Sequence, residues 1–153
     1  MRLSIDQWAM TLAVDTAKRS TCVRRSVGCI ILNSRGHVMA SGYNGVASGL
    51  PHCYEPGHSC KGALAPSGTN LDGCQAIHAE QNALLQCRDV YAIETIYVTA
   101  SPCLTCTKLL LNTSCKRVVF LERYPHDEAE RLWLLSGRAW EKLEIEKPAA
   151  KFP

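Results

Sequence analysis

The sequence predicts one α/β domain spanning residues 1–153, with a central five-stranded mixed sheet between layers of helices, and three observations carry that expectation. Apolar periods of helical and strand type alternate along the chain in the order α, β, β, α, β, α, β, α, β. Strands that alternate with helices build sheets covered on both faces, while a turn at Asn33-Ser34-Arg35-Gly36 joins two successive strands as a hairpin, so the sheet has to be mixed. A chain of 153 residues, 46% hydrophobic and 20% charged, has material for one real core and not for two.

Taken in order, residues 4–19 read as a helix: Ile5, Trp8, Leu12 and Ala13 recur on one face, and Ser4 with Gln7 makes a capping box. Val27–Leu32 and His37–Gly42 are the two β-rich runs of the hairpin. A helix carrying His78 is expected to start near Ala76. A strand near Thr95–Thr99 follows, then a helix from Cys103 to about Thr113, a strand Arg117–Leu121, a helix Asp127–Leu135 and a short strand Trp140–Ile145. The tail from Lys147 is expected to be loose.

Chemistry concentrates in two short motifs, His78-Ala79-Glu80 and Pro102-Cys103-Leu104-Thr105-Cys106. One imidazole and two thiolates leave a fourth tetrahedral position of zinc free for water, which separates a catalytic site from a closed structural one. Glu80 is then a carboxylate beside the ligands without being one, placed to act as general base and afterwards as general acid. Residues i and i+2 share no face in mid-helix, so His78 and Glu80 converge only from a first helical turn. Cys103 and Cys106 share a face at i, i+3, Pro102 suits a helix start, and the positive end of the helix dipole favours thiolates. HxE followed by PCxxC is the pattern of zinc-dependent nucleobase deaminases, with zinc as the cofactor and the reaction a hydrolytic deamination.

The stretch from Gly42 to Gln75, rich in Gly, Pro, Ser and Asn, does not fit the alternation and needs a clamp. Cys53, Cys60 and Cys74 lie in it and Cys22 lies just before the hairpin, so four thiolates could close a second, structural zinc site, with His58, or less readily His52, as a substitute ligand. Cys29, Cys87 and Cys115 read as small buried hydrophobes. Nine cysteines in a chain whose first residues show no export or membrane segment point to metal and free thiols in a reducing cytoplasm. A net charge of +3 without any basic run argues against nucleic acid and membrane partners and suits a small anionic substrate.

The segments Thr21–Gly28, Ser41–Gly45, Gly49–Cys53, His78–Ala83 and Ser101–Cys106 together resemble the deoxycytidylate deaminases of the cytidine and deoxycytidylate deaminase family, over residues 2–124. The resemblance implies the cytidine-deaminase-like three-layer α/β/α fold, a catalytic zinc on His78, Cys103 and Cys106, and Glu80 as proton shuttle. It implies deamination of dCMP to dUMP for thymidylate synthesis, with dCTP to dUTP as a related reaction, and a homo-oligomer, often a hexamer, regulated by dCTP and dTTP. Within it the Ala79 backbone N–H is placed for the cytosine O2 and Asn44 for the deoxyribose. The phosphate candidates are Arg24, Arg25, Lys108, Arg123, Tyr124 and His126. Arg24 and Arg25, at the start of the hairpin, and Tyr43 and Gly45, at its end, are candidates for an effector site.

Two other kinds of protein remain in view. A tRNA adenosine deaminase shares both motifs but needs more basic surface for a polyanion. A zinc-stapled binding module without catalysis would carry a fourth Cys or His where Glu80 leaves room for water.

Overall fold

In the computed structural model, which describes residues 2–57, 60–63, 65, 66, 69, 74–125 and 127–145, Ser4 opens helix α1 (Ile5–Ala17) through the expected capping box. Gln7 N donates to Ser4 Oγ at 3.1 Å while Ser4 N donates to Gln7 Oε1 at 3.3 Å, satisfying two donors that the helix start leaves unpaired. The face that α1 buries is not the predicted one. Ala9, Met10 and Ala13 are fully buried, whereas Ile5 and Trp8 are 51% and 37% exposed, a rotation of about a quarter turn. The reason is distance: a Cβ on Gly28 would sit 1.9 Å from the Ala13 carbonyl oxygen, so at that point the helix backbone rests on the sheet and its small residues Ala9 and Ala13 face it, with Met10 filling the space beside them.

Strands β1 (Gly28–Asn33) and β2 (Val38–Tyr43) form the expected antiparallel hairpin. β1 also pairs antiparallel with β5 (Ile93–Ala100), which pairs parallel with β6 (Arg117–Glu122), and β6 pairs parallel with β7 (Ala139–Lys142). The result is a five-stranded mixed sheet in the order β2-β1-β5-β6-β7. The last strand begins and ends earlier than Trp140–Ile145, because the Ala139 N–H already donates to Lys116 O at 3.0 Å.

Side chains alternate cleanly across this sheet, as strand geometry requires. Cys29, Ile31, Ile96, Val98, Val118 and Phe120 face Ala79 and Ala83 of α2 (Ala79–Gln86), Leu110 of α3 (Leu104–Leu111) and Trp133 of α4 (Asp127–Leu135). Ile30, Leu32, Tyr97 and Val119 face Ala9, Met10 and Ala13 of α1 on the other side. Asp6 fastens α1 down, accepting from Tyr97 Oη at 2.6 Å and from both Arg117 Nη atoms at 3.1 and 3.2 Å. Burial would raise the Asp6 carboxyl, yet the Arg117 and Tyr97 hydrogen bonds outweigh it and hold the group below its ordinary value. No helix among the described residues is long and apolar enough to cross a membrane.

The helix expected from Ala76 starts three residues later. Ala76–Ile77 is instead a short strand, β4, paired with β3 (Gly45–Val46), so the ends of the long loop are tied together before α2 begins. α2 then packs against β2 across Gly42, where a Cβ would meet Ala79 O at 2.3 Å and Ala83 N at 2.5 Å. Both obstacles are helix backbone and cannot rotate away, so Gly42→Ala is expected to cost about 3 kcal/mol, at the upper end for overpacking. Urea unfolding of wild type and variant measures this, and an unchanged midpoint would contradict the packing described.

Candidate active site

His78 is the N-cap of α2 and Cys103 the N-cap of α3, both with extended backbone (φ −68°, ψ 154° and φ −69°, ψ 171°). The N-cap position frees a side chain from the helical faces, so His78 and Glu80, two residues apart, reach the same point. Gln81 holds the turn by accepting the His78 N–H on Oε1 at 2.9 Å. Cys103 Sγ lies 3.4 Å and Cys106 Sγ 3.3 Å from His78 Nδ1. Among the described residues, His78, Cys103 and Cys106 are the set whose ligand atoms all fall within 4.8 Å of one another.

The charges in this cluster are mutually arranged. A hydrogen bond donated by the Cys106 thiol, and then one from His78, hold Cys103 down at about 4, well into the thiolate range. Donation to Cys103 pushes Cys106 the other way, with burial adding to it. Glu80 is only 4% exposed, and burial pushes its carboxyl above the ordinary range. One imidazole, two thiols and a buried carboxylate beside them match the chemistry of a three-ligand zinc site with an adjacent proton carrier.

A cavity opens onto this cluster, lined by His78, Ala79, Glu80 and Cys103 together with Asn44, Arg25, Ser101 and Tyr124. Asn44 is 7% exposed and already spends its amide on backbone: Nδ2 donates to Arg25 O at 2.8 Å and Oδ1 accepts from Val27 N at 2.8 Å. The Arg25 guanidinium lies 5.1 Å over the Tyr124 ring and 3.6 Å from Glu122, and the Tyr124 hydroxyl is buried without a hydrogen-bond partner among the described residues. A buried phenol with no partner is unusual, and a bound ligand would satisfy it. Ser101, which the sequence reading did not single out, fixes this wall by accepting from Tyr124 N at 2.7 Å. Its position beside the PCxxC motif is the one signal that could have drawn notice.

The remaining candidates are dispersed. The Arg24 guanidinium is spent on the carbonyls of Gly62, Pro66 and Thr69. Arg123 is exposed and paired with Glu130, and Lys108 is exposed on α3; neither lines the cavity. Tyr43 and Gly45 line a separate, neighbouring cavity with Thr21, Val46, His52 and Asn82, so they do not share a wall with Arg24 and Arg25. His58 and His126 lie outside the described residues.

Cys22, Cys53, Cys60 and Cys74 form a looser second group. Cys60 accepts side-chain hydrogen bonds from Cys53 and Cys74, and Cys22 contributes to the local field at Cys53 and Cys74. Backbone N–H groups point at all four sulfurs: Arg24 at Cys22 (3.4 Å), Val23 at Cys53, Gln75 (3.3 Å) and Gly62 at Cys60, and Ala76 at Cys74. Burial lifts the Cys53 thiol to about 11, while the donors around Cys60 outweigh its burial and lower it.

A family profile described as the cytidine and deoxycytidylate deaminase zinc-binding region matches residues 3–122. The chain is 40% identical over 130 residues to the deoxycytidylate deaminase of Saccharomyces cerevisiae, covering 84% of this chain and 41% of that protein. It is 35% identical over 119 residues to the deoxycytidylate deaminase of Mycobacterium phage D29, covering 75% of this chain and 92% of that one. It thus spans about two fifths of the yeast relative and nearly the whole phage relative. The crystal structure of dCMP deaminase from the cyanophage S-TIM5 in complex with dCMP and dUMP superimposes with a TM-score of 0.73 at 26% identity, covering 94% of this chain and 99% of that chain.

Proposed function

Because the chain belongs to the cytidine and deoxycytidylate deaminase family, we propose that it deaminates dCMP hydrolytically to dUMP and ammonia. The observation that carries this reading is Glu80: a buried carboxylate beside His78, Cys103 and Cys106 that the ligand set does not need. Zinc, when bound by those three residues, supplies the Lewis acidity that brings the pKa of water toward neutrality. The chain's own groups do the rest. Glu80 takes a proton from water as its oxygen bonds to C4 of the cytosine, and hands that proton to N3. It then carries the second proton from the new hydroxyl to the exocyclic amine, the C4–N bond breaks, and ammonia leaves a uracil carbonyl. The Ala79 N–H, one of the donors that a helix start leaves unpaired, binds O2 and fixes the ring. Asn44 holds the deoxyribose, and Arg25 with Tyr124 takes the phosphate. A cavity wall with a single available guanidinium suits a monophosphate over dCTP, because each added phosphate brings charge that needs its own donors.

We further infer a structural zinc on Cys22, Cys53, Cys60 and Cys74, supported by the backbone N–H directed at every sulfur, an arrangement that stabilises thiolates. The family resemblance extends the reading to a cytoplasmic homo-oligomer, a hexamer, that supplies dUMP for thymidylate synthesis under control of dCTP and dTTP. Among the described residues the cavity at Tyr43 and Gly45 is lined by no Arg or Lys, so it offers a triphosphate effector no permanently charged donor of its own.

Glu80→Gln is expected to keep its metal and lose about ten-thousandfold in kcat, the upper end for general acid–base catalysis, since one carboxylate serves every proton transfer. Metal analysis beside ammonia release from dCMP checks this; near-normal turnover in fully metallated Glu80→Gln protein would remove Glu80 from the mechanism. The second inference predicts about two zinc ions per purified chain and the loss of one in Cys53→Ser, with lower thermal stability, because metal binding to a loop that cannot order itself is folding free energy. One zinc per well-folded wild-type chain would end it.

A further inference from the structure

We propose that Arg24 is a positioning residue, a strut that ties Gly62, Pro66 and Thr69 of the cysteine loop to the wall of the active-site cavity and thereby sets affinity for the nucleotide. Its guanidinium donates to three backbone carbonyls of one loop: Nη1 to Gly62 O at 3.1 Å, and Nη2 to Pro66 O at 2.7 Å and Thr69 O at 2.8 Å. Gly62 O and Pro66 O also accept turn bonds from Ala65 N at 3.1 Å and Thr69 N at 3.0 Å, so the guanidinium joins two successive turns of the loop to each other and to the chain before β1. An arginine is suited to the task, because its five N–H groups form a planar fork that can serve several acceptors at once.

The strut stands on firm ground at its other end. Arg24 N donates to Cys22 Sγ at 3.4 Å, and the next carbonyl, Arg25 O, is held by Ser20 Oγ at 3.2 Å and Asn44 Nδ2 at 2.8 Å. Gly62 is packed so tightly that a Cβ there would lie 2.7 Å from Cys74 Cα, so the segment Arg24 grips is pressed onto the cysteine group. Cys22, Arg24 and Arg25 all line the cavity that opens onto His78 and Glu80. One side chain thus connects the loop, the turn before β1 and the wall of the site. Among the described residues its hydrogen bonds go to the loop carbonyls and not to His78, Glu80, Cys103 or Cys106, which places Arg24 in binding geometry and not in the proton transfers.

The kinetic arm of the test rests on the dCMP reading, whereas the structural arm does not. Lys61 is exposed and immediately precedes Gly62, so tryptic cleavage after Lys61 reports whether the loop is held. Arg88, exposed outside the loop, is the internal control. In the zinc-loaded chain, Arg24→Met is expected to speed cleavage after Lys61 by about tenfold relative to Arg88 and to raise KM for dCMP about tenfold, with a much smaller fall in kcat, the pattern of lost ground-state binding. Arg24→Lys, which keeps the charge but not the fork, should fall between wild type and Arg24→Met in both. Circular dichroism of both variants establishes that they fold. A raised KM with cleavage after Lys61 unchanged would overturn the proposal in favour of direct contact between Arg24 and the phosphate. No change in either would overturn it outright. If wild type released no ammonia from dCMP, the functional reading would fail while the cleavage comparison still judged the strut.

Discussion

Two helix starts have to meet at one point, and most of the structure serves that requirement. His78 caps α2, Cys103 caps α3, and their ligand atoms come within 3.4 Å although the helices leave different strands of the fold. α2 reaches the point because Gly42 lets it rest directly on β2, and α3 reaches it because β5 ends at Ala100, three residues before Cys103. Helix N-termini favour anions, so the same geometry that gathers the ligands favours Cys103 as a thiolate. The buried carboxylate of Glu80 is tolerable only in this setting, with a thiol beside it and a metal site within reach.

Much of this was legible in the chain because it is written in short-range patterns. The hairpin turn, the alternation of periods and the two motifs each depend on residues within a few positions of one another, and the five-stranded mixed sheet follows from them. The face of α1 was not legible, since it depends on how closely the helix approaches Gly28, a residue of another element. The start of α2 was displaced for a similar reason: Ala76 and Ile77 pair with Val46 and Gly45, some thirty positions earlier, and pairing overrides helix propensity. Charge was the least readable property. Arg24, Arg25 and Arg123 look alike in sequence, yet one grips a loop, one stacks over Tyr124 in the cavity and one pairs with Glu130 on the surface.

The long loop shows how an irregular segment is made part of a small domain. Its described residues bury few apolar groups and are held by polar connections: the β3–β4 pair at the loop's ends, the thiol group at its centre and the Arg24 guanidinium along its side. Asn44 belongs to the same scheme, since its amide locks the turn before β1 while its position faces the cavity. Scaffold and site are therefore not separable in this part of the molecule, and polar groups that line the cavity also hold the backbone that frames it.

The most direct measurement of the account is ammonia release by the zinc-reconstituted chain, with dCMP, dCTP, deoxycytidine and an adenosine-containing RNA compared side by side. The account predicts that dCMP is turned over with the highest kcat/KM of the four and that the RNA is inert. A folded, zinc-loaded chain that released no ammonia from dCMP, or released it from the RNA instead, would contradict it.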